Sequence, residues 1–280
     1  MELSYVQALL LGIVQGLTEF LPVSSSGHLV VLQGLFNLDP QSETMIVFDL
    51  AVHLATLGAI LVYYRRSLEK YLPHLLHSVK GINHPLQVYH QSASVRFTIL
   101  AITATFATGV VYAVFSDIIK QGFGKPTVVA CCWIATATLL MITDRRKHTR
   151  RSLRQFGLMA ALLVGLAQGA ALLPGISRSG STICVAVLLG LHRRWAGEFS
   201  FLIGAVAISG ASLIEGIKFF SSTHPPVAWG PLAVGAAASF LVGWAALGLL
   251  IWALRRARLK FFAVYCYLIA AITLVLVIWR

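Results

Sequence analysis

Six stretches of this chain stay apolar for the roughly 20 residues an α-helix needs to cross a bilayer: Ile46–Tyr64, Val95–Phe115, Thr127–Thr143, Gly197–Ile217, Trp229–Leu254 and Phe261–Trp279. Inside hydrocarbon every backbone N–H and C=O must be satisfied within the chain, so each stretch is expected to be helical. Composition agrees: 58% of the 280 residues are hydrophobic and 11% are charged, too little charge to cover a water-soluble surface. The expected fold is all-α, one integral membrane domain over residues 1–280. The net charge of +12 sits in clusters between apolar stretches, as juxtamembrane Lys and Arg do. Aromatic residues do not interleave with these clusters, so nucleic acid is not an expected partner and membrane lipid is. Cys131, Cys132, Cys184 and Cys266 lie in apolar segments without metal or disulfide spacing and read as packing residues. The N-terminus lacks a basic region and a clear cleavage site, so a removed signal peptide is not expected.

Two further apolar stretches, Tyr5–Leu35 and Phe156–Leu191, are each broken by a proline followed by a Ser/Gly cluster. Two half-length helices joined by a polar turn suggest a re-entrant hairpin, tolerated at membrane depth only inside protein or beside a wet cavity. The basic clusters at Arg65–Lys70, Asp144–Arg154, Arg193-Arg194 and Arg255–Lys260 all fall on the cytoplasmic side if six spans are combined with two hairpins, leaving both termini outside. The hairpins are also related in sequence. Ala8–Leu38 aligns without gaps on Ala161–Leu191, pairing Gly12 with Gly165, Gln15 with Gln168, Gly16 with Gly169, Ser24 with Ser177, Ser26 with Ser179 and Gly27 with Gly180. Hydrophobic helices match by chance at Leu and Ala, but not readily at Gln-Gly followed at one distance by Ser-x-Ser-Gly. The expected organisation is an inverted repeat, residues 5–143 and 156–279, with its site where the two tips meet.

The copies diverge where chemistry would lie. One tip carries Ser24-Ser25-Ser26-Gly27-His28 and the other Ser177-Arg178-Ser179-Gly180-Ser181-Thr182, while Glu19 has Leu172 as its counterpart. An intramembrane carboxylate or guanidinium is costly to bury and so points to function. Arg178 stays charged at any realistic pH and needs an anion, either Glu19 or a phosphate. Each Ser/Gly turn opens a helix near Gly27 or Gly180, where free amides and hydroxyls bind oxyanions, and the guanidinium fork matches phosphate oxygens. Ser25 and His28, three residues apart with Glu19 in reach, form the pattern of an activated nucleophile. Ser-x-x-His alone is weak; with Arg178 in the second copy it is stronger.

These motifs, "GIVQGLTEFLPVSSSGH" and "LPGISRSGSTI", resemble the two signatures of the undecaprenyl-diphosphate phosphatase family, also known as the bacitracin-resistance proteins. The likeness runs through "FDLAVHLATLGAILVYYRR" and "GEFSFLIGAVAISGA" along nearly the whole chain. It implies a multi-pass enzyme of the bacterial plasma (inner) membrane that removes one phosphate from a C55 isoprenyl diphosphate. The product is the monophosphate carrier of peptidoglycan synthesis, and its recycling confers bacitracin resistance. It also implies an active site facing the periplasmic or outer side, and a divalent cation, magnesium or calcium, for which Glu19 is a candidate ligand. By the resemblance Glu19 is the motif carboxylate, Ser25 the nucleophile, His28 the essential histidine and Arg178 the phosphate-binding arginine. Gln15 stands where many members have Glu; a glutamine cannot act as a base or bind a cation as an anion.

The mechanism expected from these residues has Ser25 attacking the terminal phosphorus and His28 taking its proton. Glu19 orients His28 or holds the cation, and Arg178 stabilises phosphate charge. Gln15, Ser24, Ser26, Gly27, Gly175, Ser177, Ser179 and Thr182 are the expected substrate-binding residues. His28 as nucleophile with Ser25 as donor is the alternative assignment. A lipid-phosphate transporter is the alternative function, since inverted hairpins and Arg178 suit it equally; an ion channel has no ring of acidic side chains to support it. Asp49 and His53 read as interfacial caps or helix–helix hydrogen bonds. Glu198 divides evenly between that role and orienting Arg178. Both a monomer and a homodimer are compatible with the sequence.

Overall fold

The computed structural model describes residues 3–80, 85–123, 125–146, 149, 151–221, 228–256 and 258–279. Among them every regular element is helical: α1 (Tyr5–Phe20), α2 (Ser25–Leu35), α3 (Glu43–Lys80), α4 (Pro85–Gln91), α5 (Ala93–Gly122), α6 (Pro126–Asp144), α7 (Leu158–Ala170), α8 (Arg178–Leu188), α9 (Arg193–Ser221), α10 (Trp229–Arg255) and α11 (Lys260–Ile278). A single 3₁₀ turn, Leu153–Gln155, precedes α7. Six of these helices, α3, α5, α6, α9, α10 and α11, are long and apolar enough to cross a membrane; they contain five of the six stretches read from hydropathy, and the sixth, Phe261–Trp279, runs one residue past the end of α11. The chain is a multi-pass membrane protein. Helix α3 continues well past Arg65-Arg66, through Pro73, because loss of hydropathy ends a membrane span without ending a helix. Lys147, His148 and Arg150 of the second basic cluster lie outside the described residues.

The two interrupted stretches become two pairs of short helices, α1 with α2 and α7 with α8. Each arm is too short to cross a bilayer alone. Their packing is reciprocal: α1 lies on α10, and its counterpart α7 lies on α5. Small residues allow this approach. A side chain at Gly12 would run into the backbone of Gly235, and one at Gly165 into the backbone of Ala104. Gly16 would meet Ser239 O at 2.7 Å, and Gly169 the side chain of Val111. Between helices in lipid, such close backbone contact supplies the attraction that water supplies in soluble cores. Thr108 on α5 bonds Gly165 O (3.0 Å) and receives Gln168 Nε2 (3.1 Å), which ties α7 down. Ser239 on α10 donates to Val52 O on α3 at 3.1 Å.

The tips of the pairs meet. Gly175 N donates to Ser24 Oγ (3.1 Å) and Ser179 Oγ to Leu21 O (3.2 Å). A Cβ at Gly27 would lie 3.0 Å from Gly175 Cα, and one at Gly180 would lie 3.2 Å from Pro22 Cβ. Helix α6 supports both turns. Trp133 Nε1 donates to Val23 O (2.8 Å), and Thr136 both donates to Gly175 O and accepts from Ser177 N, each at 3.1 Å. Gly175 has φ +97° and Ser24 φ +69°. The left-handed conformation is free for the glycine and costs the serine on the order of 1–3 kcal/mol, a strain held by its bonds to Gly27 N and Gly175 N.

Gly165→Val should force α5 and α7 apart and destabilise the protein by about 1–3 kcal/mol or more, read as a lower melting temperature in detergent. Gly248→Ala on α10, where nothing lies within 4 Å, should leave that temperature unchanged.

Candidate active site

The tips enclose a cavity of about 30 Å³ lined by Glu19, Ser24, Ser25, Ser26, Ser177 and Arg178, with Thr18, Ala171 and Ile176 completing the wall. That is room for a water or two. Ser25 and Arg178 are the first residues of α2 and α8, two residues earlier than the glycines suggested. Both helices therefore aim their first-turn amides toward the cavity region, and Ser24 and Ser177 cap them by accepting from Gly27 N and Gly180 N.

Glu19 is the hub. Its Oε1 accepts from Arg178 Nη2 at 2.5 Å. Its Oε2 accepts from Ser25 Oγ at 2.7 Å and from Gln15 Nε2 at 3.0 Å. The residue is only 7% exposed, so these three donors replace the water it has lost. Gln15 thus serves as a hydrogen-bond donor to the carboxylate, a task a second ionised acid could not perform. Arg178 is backed by Gly204 on α9: a Cβ there would overlap Nη1 and lie 2.5 Å from Cζ. Nη1 itself is buried without a hydrogen-bond partner, a donor left for a ligand.

His28 stands apart from this cluster. Its Nδ1 is 2.6 Å from Ser24 O, a pure acceptor, so Nδ1 carries the proton and Nε2 accepts from the Tyr265 hydroxyl at 2.8 Å. Trp133 packs edge-on against the ring at 4.9 Å and Tyr265 stacks parallel to it. The expected Ser25–His28 bond and Glu19–His28 contact are therefore replaced. Ser25 donates to Glu19, while α11, distant in sequence, claims the imidazole. His53 reaches the site instead, with Nε2 3.7 Å from Glu19 Oε2. Glu198 does not orient Arg178; it pairs with Arg194 at 2.9 Å, one helical turn away. Asp49 accepts from Gln33 Nε2 at 3.0 Å, a helix–helix hydrogen bond as read from the sequence.

Among the remaining expected substrate-binding residues, Ser24, Ser26 and Ser177 line the cavity. Gly27 and Gly175 bring the tips together. Ser179 turns to Leu21 O, and Thr182 is spent on Arg178 O (2.8 Å) and Ser200 Oγ (2.5 Å), fastening α8 to α9. Gly204, His53 and Tyr265 were not singled out as site residues. No local signal marks Gly204 or Tyr265, whereas His53 carried one, an imidazole inside a span.

The donor set does not fit a protein-held divalent cation. Glu19 is the one carboxylate in the lining, and both its oxygens are engaged. Among the described residues no group of three or more His, Cys, Asp or Glu side chains comes together, whereas such ions take six or more oxygens.

Comparison with known proteins matches this architecture to one family. The family model described as "Bacitracin resistance protein BacA" matches residues 8–272. The chain is 38% identical over 275 residues to the undecaprenyl-diphosphatase of Desulfatibacillum aliphaticivorans, covering 97% of this chain and 98% of that one. It is 37% identical to those of Carboxydothermus hydrogenoformans (96% of each chain) and Halorhodospira halophila (94% of each chain). The chain belongs to the BacA family.

Gly204→Ala should displace the Arg178 guanidinium and lower kcat/KM at least tenfold in detergent-purified protein. Gly210→Ala, on the same helix with nothing within 4 Å, should leave kcat/KM near that of the parent.

Proposed function

We propose, for this member of the BacA family, that the cavity between the tips is where undecaprenyl diphosphate loses its terminal phosphate. The chain is a membrane hydrolase that converts undecaprenyl diphosphate to undecaprenyl phosphate and inorganic phosphate. The observation that carries the site assignment is the Ser25–Glu19–Arg178 chain of contacts: a hydroxyl already bonded to a base, beside a guanidinium.

In the reaction Ser25 Oγ attacks the terminal phosphorus and its proton passes to Glu19 Oε2. The Oγ–P bond forms as the bond to the bridging oxygen breaks, and the lipid monophosphate leaves. Arg178, through Nη1 and the Nη2 that Glu19 releases, and the first-turn amides of α2 and α8 stabilise the equatorial oxygens. Glu19 hands that proton to the departing lipid monophosphate and, as a carboxylate again, draws a proton from the water that attacks the phosphoserine; the Oγ–P bond breaks as this proton passes to Ser25 Oγ, and inorganic phosphate leaves. His28, held by Ser24 and Tyr265, fixes the α2 turn that presents Ser25. A magnesium or calcium ion would enter on the diphosphate oxygens, which supply the hard ligands that the protein does not assemble. The tips open to the outer face of the bacterial plasma membrane, the orientation that the basic clusters support.

The hydroxyl–carboxylate bond has no task in a lipid transporter. In detergent, where no second compartment exists, the protein should release inorganic phosphate from C55 isoprenyl diphosphate, and Ser25→Ala should reduce the rate by 100-fold or more. Absence of release by the wild type, with lipid phosphate crossing vesicle bilayers, would favour transport.

A further inference from the structure

His53 is the ionisable side chain beside Glu19 to which the phosphoryl-transfer scheme gives no task. It projects from α3, a helix that belongs to neither short pair. Its Nδ1 lies 2.6 Å from Asp49 O, and a carbonyl only accepts, so Nδ1 carries a proton. Its Nε2 faces Glu19 Oε2 at 3.7 Å. Without a second proton this nitrogen would turn its lone pair toward a carboxylate oxygen. Glu19 already accepts from Arg178, Ser25 and Gln15 and is an anion in this arrangement. With a proton on Nε2 the pair is an imidazolium facing a carboxylate. The His53 side chain is 30% exposed, so water bears part of the cost of that charge.

A constraint on Arg178 gives this geometry a function. In the structure the guanidinium is committed to Glu19 through Nη2, while Nη1 has no hydrogen-bond partner. A terminal phosphate that takes the bidentate grip of both Nη1 and Nη2 draws Arg178 off the carboxylate, which would leave Glu19 buried without a cation, a loss of several kcal/mol. His53 stands one short side-chain movement away, on the oxygen Arg178 does not use.

We propose that His53 is a positioning residue that exchanges with Arg178 as the counter-ion of Glu19. The resting site pairs Glu19 with Arg178; the loaded site pairs Arg178 with the terminal phosphate and Glu19 with His53. The exchange lets one arginine serve both states and keeps Glu19 anionic, ready for the Ser25 proton. It rests on the phosphatase reading for the identity of the ligand and on the geometry for the exchange.

The test is binding without turnover, using a farnesyl methylenediphosphonate in detergent micelles as the probe. His53→Leu should weaken its Kd at least tenfold, because Arg178 can no longer leave Glu19 uncompensated, and His53→Lys should restore much of the loss. In a Glu19→Gln background there is no anion to compensate, so adding His53→Leu should change Kd less than twofold. A purely structural role for His53 would weaken binding equally in both backgrounds. An equal loss in both backgrounds overturns the proposal, as does an unchanged Kd in His53→Leu. Should His53→Leu fail to fold, His53→Gln and His53→Lys carry the comparison: Gln weaker than Lys is expected, and Gln equal to wild type overturns it. Phosphate release by the wild type is measured separately, so failure of the exchange is distinct from failure of the phosphatase reading.

Discussion

A single carboxylate, Glu19, sets the terms for the rest of this structure. It sits toward the end of α1, 7% exposed, in a chain with six helices apolar enough to cross a membrane. An unpaired charge there would cost far more than the folded state can spare, and removing one partner of a buried pair costs about 3–5 kcal/mol. The cation that relieves it comes from the other short-helix pair, so the Arg178 bond at 2.5 Å obliges the two tips to stay together. The same carboxylate orients the Ser25 hydroxyl. Under the proposed reaction, stability and chemistry use one group, and the elements that hold the tips in register also hold Ser25, Glu19 and Arg178.

That register depends on the absence of side chains as much as on their presence. Gly12 and Gly165 let α1 and α7 touch the backbones of α10 and α5, and Gly27 and Gly175 let the turns touch each other. Gly204 extends the pattern into the site by leaving space for a planar cation where any Cβ would collide. Trp133, Thr136 and Tyr265 then fix the turns from α6 and α11. A site built on short helices and turns acquires the rigidity that positioning requires from the long helices packed around it.

Much of this was legible in the sequence. Hydropathy located all six long helices, because in lipid the length of an apolar run has few alternative meanings. The diverged repeat located the tips and paired Glu19 with Arg178 as one of two options, because a buried arginine needs an anion. What failed was pairing by spacing. Ser25 and His28 are three residues apart, yet the ring bonds to Ser24 and Tyr265 instead; a helical turn brings side chains near without choosing their rotamers. Glu198 lies close to Arg178 in sequence but pairs with Arg194, and Thr182, expected to bind substrate, is spent on Arg178 O and Ser200. The sequence reads His53 as an interfacial cap or a helix–helix hydrogen bond, because its approach to Glu19 depends on how α3 packs against α1, which no local pattern encodes.

The hub assignment makes Ser25 the atom that bonds to phosphorus and leaves His28 as its support. Rapid quenching of the detergent-purified protein with labelled C55 diphosphate, followed by acid treatment and mapping of the modified residue, tests this directly. The account predicts an acid-stable phosphoserine at Ser25 that is lost in Glu19→Gln. An acid-labile phosphohistidine at His28 would contradict it.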